Sequence, residues 1–339
     1  MDVLILRHEE VLGALALDAL EQAMAEVLSA HARGEAYMPL RSVMAAPGAA
    51  GVMGLMPAWR GCDPARAGAG PAPAGAVFAL KAVNIIPANP KRGLDAHQGT
   101  VTLFDGESGV PTAILDGSAL TQVRTAAVTA VATRTLARAD ARVLAILGAG
   151  VQGKAHLDAL LSVREFESVR VYAPTERHAR ALAEGAPAGG PPVTVAASAH
   201  EAVRGADVVV VVTNSREPVL SREWLAPGAH VNAVGASLPA ARELDVETVA
   251  ASALYCDSRE SLAHEAGEYI LAVAQGAIAG EAHIRGELGE VLAGLLPGRA
   301  DDGELTLFRS LGLAVEDLAA AQLAVRTARE LGLGIEVTL

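Results

Sequence analysis

The apolar positions fall into two regimes. Near the N-terminus, Val3–Leu6 reads as a short strand. From Val11 to Val27 the apolar residues Leu12, Leu15, Leu17, Leu20, Met24 and Val27 return at helical spacing, which predicts one long helix. Gly34 stands just past its end, where a left-handed cap closes many helices. From Met38 to Phe104, short runs of Val, Leu and Met alternate with Gly and Pro, the texture of a β-rich module. Within it, Gly61–Gly75 is small, Pro-rich and low in complexity, and is expected to be an exposed hairpin loop. Leu120–Leu136 is a second helical pattern and runs into the strand Val143–Leu147. Strands and helices then alternate: Lys154–Leu161, Val169–Tyr172, His178–Glu184, Val193–Ala196, Glu201–Val203, Val208–Val212, His230–Val234 and Ala253–Cys256. Near-continuous apolar strands in such alternation predict a parallel sheet covered on both faces. Ala183–Pro192 reads as a loop within this region, and Glu316–Leu331 as a closing amphipathic helix. No internal repeat is visible.

Composition narrows the function classes. The 339 residues suggest about two domains. Hydrophobic residues are 51% and charged residues 19%, which excludes a disordered polyelectrolyte. The formal net charge of −12 argues against a nucleic-acid partner, and no polybasic stretch invites anionic lipid. Cys62 and Cys256 are too few and too far apart for a disulfide framework or a zinc site, which fits a reducing compartment. Val208–Val212 is far too short to span a bilayer, and the opening MDVLILRHEEV lacks a signal peptide's apolar region and cleavage site. The expectation is a cytoplasmic enzyme.

Gly148-Ala149-Gly150-Val151-Gln152-Gly153 is a G-x-G-x-x-G placed between an apolar strand and a helix, the context a dinucleotide site requires. Gly148 permits the tight turn, Gly150 lets the backbone approach a pyrophosphate, and Gly153 permits close helix–strand packing. The helix N-terminus offers N–H groups and a positive dipole end to the phosphates. The next strand carries no acid at its end: Ala173 stands where the ribose-binding carboxylate is expected. Thr175 and Arg177, with His178 nearby, suit a 2′-phosphate and favour NADP, while Glu176 keeps NAD open.

Lys81 lies among six apolar neighbours in Val77–Val83, so it either snorkels from an edge strand or is held in a site. A desolvated lysine titrates near neutrality and is a competent proton donor. Arg41 and Arg124 are candidates to grip a carboxylate, against the plain alternative of surface arginines, and His97-Gln98 reads as ordinary loop polarity. His264-Glu265-Ala266-Gly267-Glu268 lacks the second histidine of a zinc motif, and Gly235-Ala236-Ser237-Leu238-Pro239 lacks the last glycine of a nucleophile elbow. The nine scattered histidines form no metal constellation.

Taken together, the chain resembles the ornithine cyclodeaminase/μ-crystallin family. The resemblance rests on Lys81, His97-Gln98-Gly99-Thr100-Val101, Arg124-Thr125-Ala126-Ala127, Gly148–Gly153 and His230-Val231-Asn232-Ala233-Val234-Gly235, in that order. Gly286-Glu287-Leu288-Gly289-Glu290 and Phe308-Arg309-Ser310-Leu311-Gly312 extend it over essentially the whole chain. The family includes ornithine and lysine cyclodeaminases, alanine dehydrogenases, ketimine reductases and a thyroid-hormone-binding member. The resemblance implies an α/β fold: a doubly wound Rossmann sheet over residues 121–311, and a discontinuous α+β substrate and dimerisation domain over residues 1–120 and 312–339. It implies a homodimer, Arg41 and Arg124 on the substrate carboxylate, and Lys81 as the catalytic lysine.

Two departures point within the family. Where cyclodeaminases carry a glutamate before Leu-Met-Pro, this chain has Gly54, which cannot pair a distal ammonium. Where cyclodeaminases and archaeal-type alanine dehydrogenases carry an aspartate, it has Ser237, a far weaker base. Both resemble the ketimine-reductase branch. The expected activity is NAD(P)H-dependent reduction of a cyclic imine carboxylate of the Δ1-pyrroline-2-carboxylate or Δ1-piperideine-2-carboxylate type. Arg41, Lys81, Arg124 and Ser237 are the expected substrate contacts. The expected cofactor contacts are Arg124, Gly148, Gly150, Val151, Gln152, Gly153, Thr175, Arg177, Thr213, Val234 and Ser310, with no metal. Two alternatives stand beside this reading: oxidation of an open-chain amino acid, with or without cyclisation, and a cofactor-loaded ligand-binding protein with little turnover.

Overall fold

The structure, a computed structural model, describes residues 2–61 and 75–338. Most of the segment expected to form a hairpin loop, Gly61–Gly75, and with it Cys62, lies outside those residues. The chain opens with β1 (Asp2–Leu6), α1 (His8–Ala14), α2 (Leu17–Ala32), β2 (Ala36–Tyr37), β3 (Ser42–Met44), β4 (Val52–Arg60), β5 (Val77–Ile85), β6 (His97–Asp105), β7 (Pro111–Asp116) and α3 (Gly117–Leu136). It continues through β8 (Val143–Leu147), α4 (Val151–Val163), β9 (Ser168–Tyr172), α5 (Glu176–Glu184), β10 (Val193–Val195), α6 (Ala199–Val203), β11 (Val208–Val211), β12 (His230–Ala233), α7 (Val246–Ala251) and β13 (Ala253–Cys256). It closes with α8 (Arg259–Glu265), α9 (Gly267–Ala274), β14 (Ile284–Glu287), α10 (Leu288–Leu292), β15 (Thr306–Arg309), α11 (Ala314–Leu331) and β16 (Ile335–Thr338). Two compact units result: Met1–Thr125 with Gly312–Leu339, and Ala126–Leu311.

In the first unit the strand order is β16-β1-β7-β6-β5-β4-β2, with β3 also paired to β4. Every pair is antiparallel except β1 with β7. One face is covered by α11, which packs on β4, β5, β6, α1 and α2. Met56, Ala58, Ala79, Val83, Val101 and Leu103 point into that layer and are buried. The helix expected over Val11–Val27 is two helices. Leu15 leaves helical geometry at φ −112° and ψ 84°. Apolar spacing runs on across this break, and Gly13, a poor helix former, precedes it. Gly34 closes α2 at φ +76°, the left-handed conformation that glycine adopts at least cost.

The second unit holds an all-parallel sheet in the order β10-β9-β8-β11-β12-β15-β13-β14. Val208–Val211 and Leu144–Leu147 are fully buried, as a strand covered on both faces requires. The connection order reverses between β8 and β11, the switch point where such sheets take ligands beyond their strand C-termini. In this sheet two strands escaped the sequence reading. β15, between β12 and β13, ends in a buried arginine, and β14, at the sheet's edge, contains Gly286 and two charged residues. Among the described residues no helix is long and apolar enough to cross a membrane.

Candidate active site

Lys81 is on β5, a central strand hydrogen-bonded to β4 and β6, so snorkelling from an edge does not explain it. Strand alternation turns its side chain toward α11, where it is 4% exposed. Its Nζ donates to Asp317 Oδ1 at 3.0 Å. The same oxygen accepts from Arg124 Nε at 3.0 Å, and Arg124 Nη1 donates to Glu316 Oε2 at 2.8 Å. Arg124 sits midway along α3, a helix begun by Asp116, whose carboxylate accepts from the Ala119 N–H at 2.7 Å. Arg41 Nη2 donates to the Gly312 carbonyl at 2.9 Å. A Cβ on Gly312 would stand 2.7 Å from Arg124 Nη1, and Gly312 has φ +77°. Glycine there lets the backbone pass between the two guanidinium groups. Three residues picked out from sequence, Arg41, Lys81 and Arg124, are thus gathered at the start of α11.

Burial lowers the Lys81 ammonium to about 8, with Asp317 opposing and Arg124 and Arg41 assisting that shift. Burial disfavours an ionised Asp317, but Arg124 and Lys81 outweigh it and hold the carboxyl below its ordinary value. A lysine so placed is able to exchange a proton near neutral pH.

In the second unit the glycine loop follows β8. Gly148 has φ +114°, and a Cβ there would meet the Val212 carbonyl at 2.5 Å. A Cβ on Gly153 would stand 2.2 Å from the Gly148 carbonyl, whereas one on Gly150 would meet nothing within 4 Å. Gly150 precedes the first turn of α4 and supplies no side-chain cap, so the turn's N–H groups face open approach. Val151 is exposed there, and Gln152 Oε1 is buried without a hydrogen bond. Ser310, just past β15, likewise has a buried hydroxyl with no partner. An open glycine cradle on a helix N-terminus, with an orphaned polar atom on Gln152 in that helix's first turn and another on Ser310 past β15, fits a dinucleotide. Ala173 is buried at the end of β9, and Glu176 turns back onto Arg180 at 2.5 Å, leaving Thr175 and Arg177 exposed at the start of α5.

Glu243 is a residue the sequence reading missed. It is completely buried and joins the loops after β11 and β12. Its Oε1 accepts from Thr213 N at 2.6 Å and Thr213 Oγ1 at 2.8 Å; its Oε2 accepts from Gly235 N at 2.7 Å and Ala236 N at 3.0 Å. Burial pushes its carboxyl up to about 7, against the pull of Arg309 and Thr213. Thr213, Val234 and Ser237 therefore lie on or beside two loops tied by one carboxylate. Glu316 and Asp317 were missed as well. Their signal was an acidic pair in a helix's first turn, which elsewhere only complements the helix dipole. The buried His156 and His230 are held at about 4 and about 3 by desolvation and are neutral at pH 7. Among the described residues no group of three or more His, Cys, Asp or Glu is placed to hold a metal.

Residues 1–330 match the model of the ornithine cyclodeaminase/mu-crystallin family. The chain belongs to that family. Among its relatives is ketimine reductase mu-crystallin of Mus musculus, 38% identical over 311 residues, 92% of this chain and 91% of the mouse protein. Among solved structures, that of Thermococcus litoralis Δ1-pyrroline-2-carboxylate reductase in complex with NADH and L-proline is 34% identical, with a TM-score of 0.91 over 99% of this chain and 100% of the other. An archaeal alanine dehydrogenase dimer with bound NAD is equally close, at 34% identity and TM-score 0.91 over 100% of both chains. Gly54 stands at the position expected from sequence to offer no partner for a distal ammonium. It is buried on β4, and a Cβ there would meet Val83 Cγ1 at an ordinary 3.4 Å. The missing side chain is therefore not forced by the backbone's surroundings.

Proposed function

We propose that this protein reduces a cyclic imine carboxylate of the Δ1-pyrroline-2-carboxylate or Δ1-piperideine-2-carboxylate type to the cyclic amino acid, with NADPH preferred over NADH. The observation that carries the reading is the buried Lys81–Asp317–Arg124 cluster with Arg41 beside it: cations for a carboxylate together with a proton held at a nitrogen. When bound, the reduced nicotinamide supplies a hydride to the imine carbon. Arg41 and Arg124 hold the carboxylate, and Lys81 carries the proton that the imine nitrogen needs to become electrophilic. Ser237 offers only a hydroxyl near Glu243, which suits a reduction that needs no strong base in the substrate. Gly148–Gly153, with Thr213, Val234 and Ser310, hold the dinucleotide, and exposed Thr175 and Arg177 receive a 2′-phosphate. The relatives named as ketimine and pyrroline-2-carboxylate reductases support this choice of substrate.

The test follows the nicotinamide absorbance with each imine and each cofactor. Rapid NADPH oxidation with at least one imine is expected, with kcat/KM about tenfold or more above that with NADH. No turnover with either imine sinks the proposal. Equal or better turnover with NADH removes the role given to Thr175 and Arg177.

We further propose a homodimer working in the cytoplasm. The sheet face opposite α11 carries Leu55, Pro57 and Trp59 of β4 beside Phe78 and Leu80 of β5, all exposed or half-buried and in cross-strand register. So broad an apolar face is usual where a second subunit seats. Sedimentation is expected to give twice the 34.6 kDa chain mass, and Phe78→Asp to give the monomer. A wild-type monomer at micromolar concentration would refute this.

A further inference from the structure

We infer that Glu243 is a specificity-determining positioning residue: by taking the N–H groups of the strand ends after β11 and β12, it leaves a rim of carbonyls that selects a primary amide on the dinucleotide's pyridine ring. The inference rests on the reading of Thr213, Val234 and Ser310 as dinucleotide contacts and deepens it.

Two buried ions sort the backbone groups of these strand ends. Glu243 takes donors. Thr213, Gly235 and Ala236 give it their N–H groups and Thr213 adds its hydroxyl, so one carboxylate absorbs four donors. The neighbouring N–H groups are engaged elsewhere in the protein. Val234 donates to the Val211 carbonyl at 2.9 Å, Ser215 to Thr213 Oγ1 at 3.2 Å and Ser310 to the Ala233 carbonyl at 3.0 Å. Arg309, at the end of β15 and completely buried, takes carbonyls instead: those of Ala233, Ala236 and Ser310. The carbonyls of Thr213, Val234 and Gly235 remain, and no described residue donates to them. Gly235 is exposed, and Thr213 and Val234 are half-buried, so a ligand can reach these residues. A Cβ on Gly235 would stand 2.0 Å from the Thr213 carbonyl, so glycine lets the two segments touch.

A rim that offers acceptors and withholds donors suits a group with two N–H bonds. A carboxamide has them. An acetyl group brings a methyl instead, and a carboxylate brings acceptors against acceptors. The Ser310 hydroxyl, buried without a partner, is the donor left for the amide's own oxygen. A carbonyl left unpaired behind a bound ring is costlier than a hydrogen bond is favourable, so the choice of substituent is steep. Glu243 touches no ligand in this scheme and acts through the backbone it holds. Glutamine in its place would turn an NH2 toward one of the two loops, and the N–H groups released there would donate to a ligand instead.

The experiment measures Kd at about pH 8, where the Glu243 carboxylate is ionised. The ligands are NADP+ and its thionicotinamide, 3-acetylpyridine and nicotinic acid analogues, altered only at the ring substituent. If NAD+ binds more tightly, the NAD+ series replaces this one. Wild type is expected to bind the thioamide within about threefold of the parent and the other two at least about tenfold more weakly. Glu243→Gln is expected to shrink those two ratios by at least about fivefold, while ADP-ribose 2′-phosphate, which carries no ring, binds as it does to wild type. Weaker binding of every ligand, with the ratios unmoved, would show a merely structural role and overturn the inference. A wild type indifferent to the substituent would overturn it too. If Glu243→Gln does not fold, Glu243→Asp, a carboxylate too short to reach both loops, is read at the same ratios. The two readings fail separately. Ratios as expected with no imine turned over would sink the reductase and leave the rim's selectivity standing. Imine reduction with indifferent ratios would overturn this inference alone, and absence of dinucleotide binding would overturn both.

Discussion

Alanine at Arg124 is expected to lower kcat/KM for the cyclic imine by about 10²–10³-fold or more, since a lost carboxylate anchor also misplaces the reacting carbon. The dinucleotide Kd, followed by quenching of protein fluorescence, is expected to stay within about threefold. The structure gives two reasons for a large effect. The guanidinium is buried and donates to both Glu316 and Asp317, so its removal takes a charged partner from two buried carboxylates at once. Breaking one side of a buried ion pair costs roughly 3–5 kcal/mol of stability, and a lower Tm should accompany the lost activity. Arg124→Lys restores the charge but not the planar fork that reaches two acceptors, so it should recover only part of the rate. Retained turnover in the alanine variant would take Arg124 out of substrate binding. A large loss of dinucleotide affinity would place its main role at the cofactor instead.

The second large effect lies in the glycine loop. Two substitutions of the same size should behave differently there. In Gly153→Ala the new methyl stands 2.2 Å from the Gly148 carbonyl, a backbone atom that cannot move unless α4 separates from the loop. The expected results are a stability loss of about 1–3 kcal/mol and a dinucleotide Kd raised at least about tenfold. In Gly150→Ala the methyl meets no protein atom within 4 Å, so the apo protein should melt at the wild-type temperature. Its methyl would occupy the path of an approaching pyrophosphate, so dinucleotide binding should weaken while stability does not. Thermal melts and dinucleotide titrations of both variants decide the matter. Normal binding by Gly150→Ala would mean that the ligand does not approach the backbone there.

Much of the second unit was legible because its strands are covered on both faces. A run such as Val208–Val211 has no polar position to blur it, and Gly148–Gly153 follows its strand directly. β15 was hidden for the opposite reason. Its Arg309 is buried, an arrangement that depends on Glu268 and on the carbonyls of Ala233 and Ser310, partners that no local pattern reveals. The division of Val11–Val27 into two helices was invisible because apolar spacing persists through Leu15. Lys81 was visible as an anomaly, yet its meaning depended on β5 being a central strand. Glu316, Asp317 and Glu243 looked like ordinary surface acids. What distinguishes them is burial beside cations or N–H groups from segments far away in sequence, and spacing carries no trace of that.

The carboxylate of Glu243 has a mechanical consequence. Thr213 follows one strand and Gly235–Ala236 follow its neighbour, yet all three hang their N–H groups on the same two oxygens. If either loop lifts away, the charge it leaves behind is still held by the other in a dry interior, where solvent cannot quickly replace the lost bonds. Independent loosening is therefore costlier than release of both together. The rim formed by these two strand ends should fluctuate as a single stiff body, with the softness needed for ligand entry and exit coming from elsewhere in the chain.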